Sequence, residues 1–259
     1  MLIVRALKKI LKKTLNLFGL DIIRINNEIK NINFNELLKQ KIPNNPIIFD
    51  VGGNQGQSIE KFKKIFNKPI IHSFEPIQSE FKKMQAKFKN DSDVFLNNFA
   101  LGDKEEIKEF NITAKSANSS FNKIKNNTAW LKKRQEENFS KSKSFVTKKE
   151  KVKINTIDNY CNEKKINKID LLKIDTQGYE DKVLEGSVNC FKNNNISAVV
   201  TEIMFDNVYD KYFSFSDIEK HILPFNFRMV GIDLSNNNLF SGLVFFADVY
   251  YFNKKNYKL

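Results

Sequence analysis

Three acidic positions stand beside glycines or at the ends of apolar runs, where a side chain can reach a ligand. The first is Asp50 in FDVGGNQGQS, followed by Gly52, Gly53, Asn54 and Gly56. The second is Glu75 in FEP, with Pro76 behind it. The third is Asp175 in DLLKIDTQGYEDKVLEG, with Glu180 after it and Glu202 in the later TEI. Glycines let a ligand approach the backbone, and a helix that follows them supplies free N–H groups. Carboxylates in such a setting bind hydroxyls or cations, or act as proton acceptors.

The charge at the first motif selects its ligand. The pattern D-x-G-G-N-x-G lacks the G-x-G-x-x-G dinucleotide fingerprint, and no Gly-Lys-Ser/Thr follows to make a phosphate loop. A carboxylate at Asp50 would face a pyrophosphate at close range, and like charges there cost energy. S-Adenosylmethionine carries no phosphate, has a cationic sulfonium and amino group, and keeps a ribose. An acid at the glycine turn suits it, as does Glu75 at the end of a second strand, where an acid typically holds ribose hydroxyls. The plainer alternative is a structural glycine turn with a helix-capping acid.

The surrounding pattern supplies the elements that would hold these residues. PIIFDV is a short continuous apolar run of the kind found in strands buried on both faces. Helical spacing follows at Ile59, Phe62, Ile65 and Phe66, then a strand in PIIHSFEP and a helix with Phe81, Met84 and Phe88 on one face. DVFLNNFALGD reads as a third strand running into a turn at Gly102. The alternation resumes with strand IDLLKID, helix YEDKVLEGSVNCFK, strand SAVVTEIMF and helix FSDIEKHIL. FRMVGID and LVFFADVYYF close the chain as two strands, antiparallel across a turn at Asn236 to Asn238. Strand–helix alternation of this kind specifies an α/β protein with a mostly parallel sheet. Lys115 to Lys153 interrupts it with a lysine-rich insert that contains Trp130, the single tryptophan. An insert of that length is functional or mobile.

Together these segments resemble the FkbM family of S-adenosylmethionine-dependent methyltransferases. The resemblance runs over roughly residues 46 to 233 and rests on FDVGGNQGQS, FEP, NNFALGD, SANSSF, DLLKIDTQGYEDKVLEG and TEI. Gly53 stands where the family often has alanine. The resemblance implies the class I methyltransferase fold, a Rossmann-like seven-stranded sheet with helices on both faces and an antiparallel C-terminal strand. It implies O-methylation, commonly of a sugar or polyketide-type product, and in bacteria often of surface-polysaccharide glycans. The span Asp50 to Gly56 with Glu75 and Pro76 becomes the cofactor site, Ala100 and Leu101 lie near the adenine, and Asp175 sits at the active-site end of the fourth strand. The domain division that follows is an N-terminal segment, 1–45, and a methyltransferase domain, 46–259, carrying the insert at about 115–153.

A sugar hydroxyl is a weak nucleophile at neutral pH, so a base within hydrogen-bond reach should help. Asp175 is the first candidate and Glu202 the second, while Glu180 either orients a neighbour or acts as a helix first-turn acid. Asp175 has a structural alternative, accepting backbone N–H groups from the turn at Gln177 to Tyr179. Ser119 and Ser120, with the basic insert, are expected to contact the acceptor as a lid. His72 and His221 read as packing residues. Two histidines without clustered cysteines argue against zinc. A divalent ion between Asp175, Glu202 and substrate hydroxyls stays open.

The formal net charge of +13 raises a nucleic-acid substrate as an alternative. Against it, DTQG is not the Asn/Asp-Pro-Pro-Tyr of amino-directed DNA enzymes. A non-catalytic nucleoside-binding protein on the same fold is the other alternative. Cys161 and Cys190 sit in unrelated contexts, which fits a reducing cytoplasm rather than a disulfide framework. No apolar run reaches membrane-spanning length. The opening MLIVRALKKILKKTLNLFGL reads as a basic amphipathic helix, so peripheral contact with an anionic membrane through residues 1–20 is a further expectation.

Overall fold

A computed structural model describes residues 33–137, 145–205, 208–211, 214–234 and 245–255, with the side chains of 133–135 and 137 excepted. The expected basic helix in residues 1–20 and the turn at Asn236 to Asn238 lie outside the described residues. The chain divides into two compact units, Met1–Asn33 and Phe34–Leu259, and every described element belongs to the second.

Helix α1 (Phe34–Lys41) leads into β1 (Ile47–Val51), α2 (Gln57–Ile65), β2 (Ile70–Phe74), α3 (Gln78–Phe88) and β3 (Val94–Asn97). Strands β4 (Ala100–Leu101) and β5 (Glu106–Thr113), helix α4 (Ala129–Glu137) and strand β6 (Val146–Asn155) follow. Then come α5 (Ile157–Lys164), β7 (Leu171–Ile174), α6 (Glu180–Glu185), α7 (Val188–Lys192) and β8 (Ala198–Met204). The last elements are α8 (Phe215–Glu219), β9 (Phe227–Asp233) and β10 (Phe246–Asn253).

Seven strands form one sheet in the order β3-β2-β1-β7-β8-β10-β9. The pairs β2–β3, β1–β2, β1–β7 and β7–β8 are parallel, and β10 runs antiparallel to both β8 and β9. This is the class I methyltransferase sheet. Successive strand residues point to opposite faces, and the chain uses both. Ile48, Leu171 and Val200 bury against Leu38, Ile59 and Met84 on one side. Phe49, Leu172 and Val199 bury against Tyr160, Leu184 and Phe191 on the other. Burial on both faces is why the central strands read as unbroken apolar runs.

Two segments differ from the sequence expectation. DVFLNNFALGD is two strands, because the chain leaves the main sheet after Asn97 and Ala100–Leu101 pairs with β6 instead. The side-chain amide of Asn98 donates to Glu75 O at 2.9 Å and fixes that departure. Part of the lysine-rich stretch forms a strand: β6 lies between β4 and β5 in a second, three-stranded sheet. Its outer face carries Lys149 paired with Glu109 at 2.6 Å, while Phe110, Val152 and Ile154 turn inward. A strand with one solvated lysine face reads from composition as a loop. The expected helix over 179–192 is also two, α6 and α7. Between them a Cβ at Gly186 would stand 1.9 Å from Gly102 O, so the helix breaks where two backbones touch.

Candidate active site

Parallel crossovers bring the carboxyl ends of β1, β2, β7 and β8 to one edge, where ligands bind in open α/β sheets. After β1 the chain turns at once: the N–H groups of Gly52 and Gly53 both donate to Phe74 O at 3.0 Å. Asn54 takes a left-handed conformation, φ 46°. Its N–H donates to Glu75 Oε2 at 2.8 Å, and the Ile77 N–H donates to Oε1 at 2.7 Å. Glu75 therefore ties the glycine turn to the end of β2. A Cβ at Gly53 would fall 2.1 Å from Ser73 Oγ, so this chain's serine occupies the space an alanine there would need.

Above the turn lies a cavity of about 240 Å³. Gly52, Gly53 and Asn54 line it beside Glu75 and Pro76, and Ala100 and Leu101 lie across from them with Ile77, Phe121 and Tyr179. Asp175 and Ser119 also line it. An apolar slot for a flat base and a carboxyl group for a diol suit S-adenosylmethionine. Asp50, Gly56, Ser120, Glu180 and Glu202 are outside this wall. Asp50 is fully buried below the turn, its Oδ2 accepting from Ser73 Oγ at 2.9 Å and its Oδ1 facing Lys173 Nζ at 3.4 Å. Gly56, φ 86°, begins α2 with Phe88 filling the space beside it.

Lys173 holds the floor of the site. Its Nζ lies 3.4 Å from Asp50 Oδ1, 3.5 Å from Asp175 Oδ2 and 3.4 Å from Gly52 O. Burial alone would lower its pKa, but the carboxylates of Asp175, Asp50 and Asp248 outweigh that and hold it above the ordinary lysine value. The ammonium stays charged and offsets part of the negative charge of the acids that flank it.

The turn after β7 organises the second half of the site. Gln177 takes φ 57°, and its side-chain amide donates to both Asp175 Oδ1 at 3.0 Å and Glu202 Oε2 at 2.8 Å. Tyr209 OH donates to Gln177 Oε1 at 3.2 Å, and Ser120 Oγ donates to Gln177 O at 2.6 Å. Glu180 closes the same turn from beneath, accepting from Thr176 N at 2.8 Å and Gly178 N at 3.0 Å. Burial raises Glu180 to a pKa of about 7. Burial, then the neighbouring Asp175 carboxylate, raises Glu202 well above the usual carboxylate range. Asp175 is the exposed member, its side chain 37 % accessible. Ser119 Oγ accepts from Thr113 N at 3.1 Å, so both serines brace the loop over the site.

His72 is buried, with Nδ1 2.9 Å from Tyr160 OH, and burial lowers its pKa to about 4. Among the described residues, no three His, Cys, Asp or Glu side chains come together as a metal-binding set. Lys173, Gln177, Asn118 and Tyr209 were not singled out from the sequence. Gln177 and Lys173 lie inside the DLLKIDTQGYE segment that carries the resemblance. Asn118 lies inside SANSSF, another segment of the resemblance, at the end of a short 3-10 turn, and Tyr209 lies between elements, where no periodicity marks it.

Burial also raises Glu75 to a pKa of about 7, against the lowering effect of its two backbone hydrogen bonds. Ribose hydroxyls are donors and prefer its ionised form, so affinity for S-adenosylhomocysteine should fall as pH drops below about 7, approaching roughly tenfold per unit. Calorimetry between pH 5.5 and 8.5 measures this, and Glu75→Gln should flatten the dependence. The stability of the ligand-free protein should have the opposite sign of pH dependence. Glu75 and Glu180 bind more protons folded than unfolded between their ordinary 4.5 and about 7, so their contribution to stability declines as pH rises through that window.

The family model of the methyltransferase FkbM domain matches residues 50–229, well over half of the chain. No curated protein matches. Solved structures are similar at low identity. A TehB-like S-adenosylmethionine-dependent methyltransferase from Corynebacterium glutamicum is 10% identical, covering 86% of this chain and 89% of its own, with a TM-score of 0.43. Aeropyrum pernix fibrillarin with natively bound S-adenosyl-L-methionine is 10% identical over 84% and 73%, TM-score 0.44. Precorrin-6y C5,15-methyltransferase from Geobacter metallireducens is 7% identical over 87% and 91%, TM-score 0.42.

Proposed function

Since the chain belongs to the FkbM methyltransferase family, and is thereby an S-adenosylmethionine-dependent methyltransferase, we propose that its acceptor is an oxygen, a sugar hydroxyl of a bacterial surface glycan or its precursor. The observation that carries this reading is the position of Asp175, which lines the donor cavity and also a second cavity beside it. A hydroxyl entering from the second cavity would meet a carboxylate at the point where the two spaces share a wall.

When bound, S-adenosylmethionine supplies a methyl group on a cationic sulfur, lost by in-line displacement. The chain's own residues align and prepare that event. The Gly52–Asn54 backbone and Glu75 hold the nucleoside, and Ile77 and Leu101 flank the base. Asp175 takes the hydroxyl proton as the new C–O bond forms. Gln177 keeps the Asp175 and Glu202 carboxyl groups fixed. Lys173 offsets part of the charge of Asp175 and Asp50.

The reading is tested by titrating the protein with S-adenosylhomocysteine and, as comparison, NAD, then following S-adenosylhomocysteine release with sugar acceptors. Binding of the first alone, lost in Glu75→Ala, and turnover on a hydroxylated sugar are expected. Binding of NAD instead would overturn it, as would methyl transfer to RNA that weakens steeply with salt.

A further inference from the structure

The second cavity, about 190 Å³, shares Ala117, Asp175 and Gln177 with the donor cavity. Its remaining wall sorts into two chemistries. Trp130, Phe245 and Phe246 give an aromatic and apolar side, with Trp130 only 3% exposed and packed edge-on against Phe145. Asn118 and Glu202 give the polar side. Asn118 is 7% exposed, and its Oδ1 is buried with no hydrogen-bond partner among the described residues. Leaving an acceptor in that condition is unfavourable, and a ligand's N–H or O–H would relieve it.

We propose that this cavity binds the acceptor, and that the part of the acceptor inside it is one uncharged hexopyranose ring that donates a hydrogen bond to Asn118 Oδ1. The inference rests on the methyl-transfer reading above. A pyranose has an apolar C–H face, which fits the Trp130 side, and a rim of hydroxyl donors, which fits Asn118, Asp175 and Glu202. The space is smaller than the donor cavity, so it suits one ring rather than an oligomer. A phosphate or uronate inside would set negative charge against Asp175 at short range. Anionic parts of a glycan precursor therefore lie away from Asp175 and toward Lys115, the exposed cation of the cavity wall.

Trp130 is the chain's single tryptophan, so intrinsic emission reports this cavity. The full-length protein, saturated with S-adenosylhomocysteine, is titrated with methyl hexopyranosides and methyl N-acetylhexosaminides. A methyl glucuronide and adenosine 5′-phosphate are the comparison probes. At least one uncharged hexoside should change Trp130 emission saturably and accept methyl when S-adenosylmethionine replaces the homocysteine analogue. Asn118→Ala should then raise its KM roughly tenfold or more, with the Kd for S-adenosylhomocysteine within about twofold of the parent. Should Asn118→Ala fail to fold, Asn118→Asp tests the same contact and should favour acceptors with more donors. If S-adenosylhomocysteine binds but only the charged probes are bound or methylated, or the Asn118 variants leave the sugar KM unchanged, the acceptor site is overturned and the methyltransferase reading stands. If S-adenosylhomocysteine does not bind the parent protein, both fall together.

Discussion

Asp175→Asn should cut kcat by about 10³-fold, within the 10²–10⁴ a positioned base contributes, and leave S-adenosylhomocysteine affinity within about threefold. The substitution keeps size and still offers Gln177 an oxygen to donate to, so the turn geometry at 3.0 Å survives. It removes the atom that takes the proton. It also frees Lys173 of one partner, while Asp50 at 3.4 Å and the Gly52 carbonyl keep that ammonium in place. A secondary effect has a definite sign. After burial, the Asp175 charge does most to raise the Glu202 pKa. Removing it should let the Glu202 pKa fall and move the acidic limb of any residual activity to lower pH. Calorimetry with single-turnover kinetics separates the parts. An unchanged kcat would remove Asp175 from the chemistry and leave Glu202, joined to it through Gln177, as the group to test.

What the sequence disclosed follows burial. Strands β1, β7 and β8 are covered on both faces, so IIFDV, LLKI and AVVTEIM stand out as apolar runs whatever surrounds them. The residues at the carboxyl ends of β1, β2 and β7, Asp50, Glu75 and Asp175, could be assigned to one edge from the strand–helix alternation. Which of them faces a ligand could not. Asp50 follows two residues whose side chains alternate across the sheet, and only the fold shows its carboxylate turned beneath the glycine turn toward Ser73 and Lys173. The second sheet was hidden because its exposed lysines dominate the composition of β6. Gln177 illustrates a different gap. A glutamine in a turn has no periodic signature, and its importance comes from Ser120, Glu202 and Tyr209, partners far away in the chain. Cys161 and Cys190, read as unrelated, pack into one core cluster for the same reason.

Gly52→Ala should be the most damaging single-methyl change in the site, because it acts on both halves at once. Gly52 has φ 84°, in the left-handed region that costs a residue with a Cβ about 1–2 kcal/mol. The added carbon would also stand 1.9 Å from Asp175 O, a backbone atom that no rotamer change can move aside. Overpacking of a tight contact adds roughly 1–3 kcal/mol, so a loss of about 3 kcal/mol is expected, equal to a fall in Tm of roughly 6–12 °C for a domain of this size. Relief requires the turn after β1 to separate from the turn after β7. That shifts the Gly53 and Asn54 backbone away from Glu75 and moves Asp175 relative to the donor cavity. Gly52→Ala should therefore lose S-adenosylhomocysteine binding and turnover together, even at temperatures where circular dichroism shows it folded. Asp175→Asn should lose turnover alone. If the glycine variant kept donor affinity while losing stability, the close approach of the two turns would serve the fold and not the site, and the alignment of donor and base would have to come from Gln177 and Lys173 instead.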